Sequence, residues 1–444
     1  MALGATAVAR ATEVTYPSYV WQDPEDSPFY RAFKKGFEEV NPDITIRDIP
    51  VPFGAFWDKQ FLDLSSGNSA DTVTMFDTEV KSYIDNDFLE PLNPYLEKAG
   101  ISLDDFYPGA RAAVKDGKIY GLNLIINPRA MFYNGGVLDK EGLKPPTNLA
   151  EFSAAIEKLR HSDKQEFGFA TYAKPGAANS LYLEISPIVF GFGGSFFEKG
   201  QPTATKPETI EALRFYKKIY DESLIPKGMD IQGYRQLFVQ GKVAMYAGGP
   251  YMGKLVANAS AERGRELGAM PLPFPGKRTF ALSVFMGIGK SAKNKDAAAK
   301  VLVSMLSRDW QNKLLEIAGQ PPGRRDVDFT NYLAANPWFQ AFIDAAKDPS
   351  TVSFAPDGAE AFAPEVIKII GNNVESMLFN NVKPEDCCRS NAERTDGCLS
   401  QEVAVHTKTA SRSATSRRAP LRPATRQIPL RVQVGLAGVR VSSL

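Results

Sequence analysis

The sequence predicts an α/β fold divided into two lobes. A length of 444 residues exceeds one ordinary domain. A hydrophobic content of 43% supports real cores, while no run approaches the ~18 apolar residues of a membrane span. The apolar period then switches repeatedly between that of a strand and that of a helix.

Val14 to Trp21 alternates and is rich in β-formers, so it reads as a first strand. Phe29, Phe33, Phe37 and Val40 recur at helical spacing, Asn41-Pro42-Asp43 stops that helix, and Ile44-Thr45-Ile46 opens a second strand. Strand, helix and strand in succession form a βαβ unit, which implies a parallel sheet covered by helices. Phe56 to Leu64 reads as helix, Thr72 to Phe76 as strand, and Glu79 onward as helix again. Further helices are marked by Ile210 to Tyr220, Ala297 to Leu306, and Val366 to Leu378. No repeat of solenoid period stands out.

Charge and composition narrow the function. Lys+Arg number 52 against 51 Asp+Glu, which argues against a nucleic-acid binder working through a general basic field. The chain has two histidines, too few for most His-based metal or triad chemistry, and His161 sits among charged residues after a helix. There is no G-x-S-x-G elbow, no P-loop and no HExxH, and the glycines of GFGGSFF lack a dinucleotide context. No catalytic residue, metal site or cofactor is expected.

Both ends differ from the body. Residues 387–444 hold ten Lys+Arg and three Asp+Glu, no aromatic residue, and all three cysteines, Cys387, Cys388 and Cys398. The rest of the chain carries 42 basic and 48 acidic residues. Residues 387–444 therefore read as a disordered basic tail, either an out-of-frame extension or a nucleic-acid or membrane tail. Residues 1–11, MALGATAVARA, read as the end of a signal peptide whose start lies upstream, the alternative being a plain N-terminus. A body without cysteine suits a secreted protein large enough to need no disulfide.

Ligands of open α/β sheets bind outside the carboxyl ends of strands. Trp21-Gln22-Asp23 follows the first strand, Phe53, Phe56 and Trp57 follow the second, and Asp77-Thr78-Glu79 follows the third. Flat rings beside carboxylates and amides suit a sugar, whose C–H face stacks while its hydroxyls are hydrogen-bonded. Core packing is the alternative for each ring taken singly.

Over residues 12 to 386 the chain resembles the carbohydrate-type extracellular solute-binding proteins, the receptor components of bacterial ABC importers. The most specific stretch is GKIYGLNLIINPRAMFYNGGVLDKEGL, with Asn123 where proline is usual. PPTNLAEFSAAIEKL, FGFGGSFFEKG, FVQGKVAMYAGGPYM, MGIGKSAKNKDAAAKVL and GQPPGRRDV are also similar, with Asn148 and Tyr251 where the family often has Trp. The resemblance implies a two-lobed periplasmic-binding-protein fold with a three-segment hinge. It places lobe one at 12–126 and 281–326, and lobe two at 127–280 and 327–386. It also implies that Tyr251 stacks on the sugar, that Asn127 contacts it beside the hinge, and that Asp77, Thr78 and Glu79 bond hydroxyls. Ser283, Phe285 and Arg324 fall on the returning crossovers.

The expected function is capture of a sugar, mono- or oligosaccharide, in an interlobe cleft and delivery to membrane permease subunits, by a periplasmic monomer. Two alternatives stand beside it. The same fold could bind a polyamine or other polar solute, with Asp23, Asp77 and Glu79 as charge partners, or the chain could be a glycoside hydrolase using a carboxylate pair.

Overall fold

A computed structural model describes residues 11–161, 163–397 and 399. The chain divides into units 1–399 and 400–444; the second, like residues 1–10 and the expected signal-peptide end, lies outside the described residues.

The first strand is shorter than its β-forming run. β1 spans Thr12–Ser18, and Tyr19–Trp21 then wind into a 3₁₀ turn with the Val20 amide on the Ser18 hydroxyl. β1 pairs in parallel with β2 (Ile44–Pro50), so Val14 faces Ile46 across the ladder. The crossover is α1 (Ser27–Val40), which buries Phe29, Tyr30, Phe33 and Phe37 as the spacing requires. Then come α2 (Phe53–Ser65), β3 (Thr72–Phe76) and α3 (Asp77–Asp85). β4 (Leu122–Pro128) runs, after Arg129 alone, into β5 (Ala130–Asn134).

β5 opens a second sheet with β6 (Phe167–Ala170), β7 (Val243–Gly248) and β8 (Leu267–Met270), in the order β8-β5-β7-β6. α4 (Ala178–Gly191), α5 (Ile231–Val239) and α6 (Tyr251–Ala259) belong to this part of the chain. β9 (Phe280–Ile288) lies antiparallel to both β3 and β4, in a sheet separate from the β1–β2 pair, with β10 (Val352–Ser353) on its first residues. α7 (Arg308–Ala318) packs Trp310 on Phe33 of α1, whereas Trp338 packs on Phe132 of β5, so the chain crosses a third time between them. The last named helix is α8 (Ala363–Phe379). None of the described helices is long and apolar enough to cross a membrane.

One carboxylate joins distant parts of the first lobe. Asp71 accepts from the Thr15 amide and hydroxyl at 2.9 and 2.8 Å, and from the Lys293 and Asn294 amides at 3.1 and 2.9 Å. Four donors on a buried carboxylate offset its desolvation.

The expectation of disorder from residue 387 is corrected. Residues 384–397 are helical, and Cys387, Cys388, Asn391 and Thr395 are all buried. Their spacing places one side of the helix inward. Asn391 accepts from the Asn373 amide group at 2.7 Å, while Arg394 and Ser390 donate to the Asn373 carbonyl oxygen at 3.0 and 3.3 Å. Composition averaged over the whole end of the chain masks this amphipathic start. Cys387 and Cys388 are free thiols, and Cys398 and residues 400–444 lie outside the described residues. A chain ended at residue 386 is therefore expected to be less stable than one ended at 399 by about 2 kcal/mol. Urea midpoints of the two would measure the difference.

Candidate functional site

The carboxyl ends of β1 and β3, the start of α2 and the middle of the β4–β9 ladder surround a cavity of about 450 Å³. Its other wall comes from Tyr172, α5 and the start of α6. Side chains alternate along β9, so Leu282 and Val284 face this cavity while Ala281, Ser283 and Phe285 face the other side. That far side holds a second cavity of about 750 Å³, where prolines, phenylalanines and aliphatic residues are mixed with Asp77, Arg325, Asp328, Lys347 and Asp348. The smaller cavity is the one whose charged side chains, Asp23, Glu25, Asp26, Arg129 and Arg235, are buried, and polar side chains that converge from several elements are what orient a small ligand.

A chain of side-chain hydrogen bonds crosses its floor. Arg129 donates to the Asn127 carbonyl oxygen at 2.6 Å, the Asn127 amide group donates to Gln320 at 3.2 Å, and Gln320 donates to Asp26 at 3.1 Å. The Thr279 hydroxyl donates to the Arg129 carbonyl at 2.8 Å. All three crossings between the sheets thus meet at one point, and displacing any of them leaves a buried polar group unpaired.

An ion pair spans the cavity. Arg235 of α5 donates to Glu25, in the turn after β1, at 2.7 Å, and both side chains are less than a tenth exposed. Arg235 also donates to the Tyr246 hydroxyl at 3.2 Å, which donates to Glu184 at 3.3 Å. Its guanidinium carbon lies 5.0 Å from the centre of the Tyr251 ring, a cation–π contact. One face of Tyr251 is therefore already covered by the protein.

Asp23, Glu25 and Asp26 sit together in the turn after β1, all buried. Burial first, and then the Glu25 charge, push Asp23 up to about 7 and Asp26 up to about 8, with Arg235 opposing both. A raised carboxylate favours the folded state below its unfolded pKa near 4 and loses that contribution as pH rises through its folded pKa. Asp26→Asn, which keeps an acceptor for Gln320, should gain stability at pH 8, by at least about 1.4 kcal/mol, the value of one pKa unit. The gain should vanish near pH 4. Urea melts of both proteins across that range would check it.

A profile of the bacterial extracellular solute-binding proteins matches residues 21–312. The chain belongs to that family. A binding protein of Brucella abortus (strain 2308) is 26% identical over 407 residues, covering 90% of this chain and 96% of its own length. The arabinooligosaccharide-binding protein of Halalkalibacterium halodurans is 25% identical over 434 residues, covering 88% and 90%. The solved ABC-transporter solute-binding protein of Thermotoga lettingae bound with alpha-D-tagatose matches with a TM-score of 0.77 at 22% identity, covering 88% of this chain and 99% of that one. The two-lobed architecture is that of this family.

Within this solute-binding protein, the residues singled out from the sequence fall into four groups. Asp23, Phe53, Asn127 and Tyr251 line the cavity. Thr78 and Glu79 line an adjoining groove of about 500 Å³, which shares Phe53, Gly54, Phe76, Ser180 and Leu183 with the cavity. They stand on the first turn of α3 rather than in a loop, since Glu79 accepts from the Phe76 amide at 3.0 Å and from the Thr78 hydroxyl at 2.6 Å. Burial pushes Glu79 up to about 8.

Asp77, Ser283 and Phe285 face the far cavity instead. Asp77 accepts from the Ser353 hydroxyl at 2.6 Å and the Phe354 amide at 3.1 Å, tying β10 to the start of α3. Phe285 is fully buried opposite Met75. Trp21 and Arg324 reach neither cavity. The 3₁₀ turn swings Trp21 inward, where its indole donates to the Tyr16 carbonyl at 2.7 Å and its ring meets Tyr16 edge-on. Arg324 makes a two-pronged pair with Asp326, both contacts at 2.9 Å, and lies over Phe106.

The cavity residues that the sequence reading missed are chiefly Glu25, Asp26, Arg235 and Gln320. The first two adjoin Asp23, so the cluster could have been found by extending that turn. Arg235 lies inside an ordinary amphipathic helix, where nothing in the spacing distinguishes it.

Proposed function

We propose that this solute-binding protein captures a sugar between its two lobes and hands it to the permease subunits of an ABC importer. The observation that carries the reading is the floor network from Arg129 to Asp26, set in an aromatic-walled cavity at the meeting of three crossings. Closure strips water from a sugar's hydroxyls, so partners must come from both sides, and this cavity supplies them. The groove that continues from it leaves room for more than one ring. The lobes run over 12–126 with 281–326 and over 127–280 with 327–386; the receptor acts as a monomer in the periplasm, reached by a signal peptide, and catalyses no reaction. Sugars named for its relatives and neighbours, arabinooligosaccharide and tagatose among them, support the ligand class.

The test is a thermal-shift and calorimetric screen of the full chain against mono- and oligosaccharides, polyols, polyamines and amino acids. A ligand at 100 times its Kd adds about 2.7 kcal/mol and raises the melting temperature by several degrees. Tyr251→Ala should weaken sugar binding at least tenfold, whereas Tyr251→Phe, which keeps the ring, should bind within about threefold of the parent. Silence towards every sugar, or equal binding by Tyr251→Ala, would refute the reading or the ring's role respectively.

A further inference from the structure

We propose that the sugar captured here carries a free amine, whose ammonium group is held by Asp23, Glu25 and Asp26 beside the Tyr251 ring. This rests on the reading of the cavity as a sugar site.

Three carboxylates from one turn face the cavity, all nine-tenths or more buried. One oxygen of Glu25 takes the Arg235 guanidinium at 2.7 Å, but the other has no hydrogen-bond partner among the described residues. The Asp23 carboxylate accepts no hydrogen bond from any described side chain or amide. Among the described residues Arg235 is thus the one cation paired with this turn, with one donor on Glu25 and another on Tyr246.

Two further cations line the wall, and neither is paired with this turn. Arg129 is turned to Asn127 and to the Phe280 ring. Lys174 forms no ion pair among the described residues, and Asp230, which caps α5, adds a further negative charge. Glu184 lies behind Tyr246.

A neutral hydroxyl can donate one hydrogen bond to such a cluster, but it does not let the carboxylates ionise together. An ammonium brings three donors together with the charge that lets them ionise. The pairing already seen at Arg235, a cation lying on Tyr251 and bonded to Glu25, shows that this wall holds a cation well. Asp23 at about 7 and Asp26 at about 8 also mean that the empty cluster retains protons near neutral pH. An entering ammonium stabilises the charged carboxylates and expels such a proton to the buffer.

The experiment is calorimetry on the full chain with glucosamine, galactosamine and the free-amine disaccharide of glucosamine. Each is compared with its N-acetyl form and its neutral hydroxyl parent. At least one amine is expected to bind tenfold or more tightly than both counterparts, with a heat that varies between buffers of different ionisation enthalpy, as proton release requires. Asp23→Asn, checked for an unchanged melt, should remove most of that preference. Equal or tighter binding of the neutral or N-acetyl sugars overturns the amine inference and leaves the sugar receptor standing. No binding by any of these sugars overturns it too, and the receptor reading falls only if the wider oligosaccharide screen is also silent. Binding of polyamines but of no amino sugar would overturn both.

Discussion

Arg235→Ala is expected to lose about 3–5 kcal/mol of stability, because it strands a buried carboxylate rather than merely deleting a contact. Among the described residues one Glu25 oxygen already lacks a partner, so the substitution leaves the group without its short ion pair. Asp23 and Asp26 lose the one cation that opposes their mutual repulsion, so the cluster should hold its protons to still higher pH. The urea midpoint should fall at unchanged slope, and fall further at pH 8 than at pH 5. A second consequence concerns shape. Glu25 and Arg235 belong to opposite walls of the cavity, so without the pair the empty protein should be more open and its scattering radius larger.

A double variant separates the net worth of this pair from the penalty of stranding its partner. Replacing Glu25 by Gln together with Arg235 by Met removes both charges while keeping bulk over Tyr251. Buried pairs exchanged for matched neutral groups are often near neutral in stability. The double variant should therefore recover most of what Arg235→Ala loses, and a coupling energy above about 1 kcal/mol is expected from the cycle. If the single and double variants were equally unstable, the pair would be acting through packing on Tyr251 rather than through charge.

The alternating and helical periods made the framework legible. Phe29, Phe33 and Phe37 announced α1, and the strand runs at 44–46 and 72–76 announced β2 and β3, because one-sided burial imposes these spacings directly. The cavity was legible only where a strand end could be located. Asp23 and Phe53 were found that way, whereas Trp21 was misplaced because a 3₁₀ turn adds a rotation that the alternation cannot reveal. Ser283 and Phe285 show the complementary difficulty. A strand buried on both sides has no polar face to mark which of its residues face the cavity, so Leu282 and Val284 carry no distinguishing signal. The helix at 384–397 was hidden for a different reason, since four inward residues are diluted by the composition of everything after them.

Gly323→Ala should be the most damaging small substitution at the hinge. A Cβ there would stand 2.0 Å from the Asn123 carbonyl oxygen and 2.6 Å from its carbon, and that neighbour is backbone, which cannot rotate away. The third crossing is fastened to the first at this place. The Gly323 amide donates to the Leu124 carbonyl at 2.9 Å and the Ile126 amide to the Pro321 carbonyl at 3.0 Å. Relieving the clash must stretch those bonds and carry Gln320 away from Asn127 and Asp26, breaking the floor network in the middle. The expected loss is about 3 kcal/mol, overpacking and two weakened buried hydrogen bonds together. Gly54→Ala provides the contrast. Its added carbon meets nothing within 4 Å, and it sits inside α2, where alanine is favoured over glycine by about 0.5–1 kcal/mol. Chemical melts should move in opposite directions for the two variants. Gly323→Ala should also weaken ligand binding by more than tenfold, since the sugar would meet a floor whose donors no longer point at their acceptors. Retained affinity in a folded Gly323→Ala protein would show that the floor network holds the hinge together without touching the ligand.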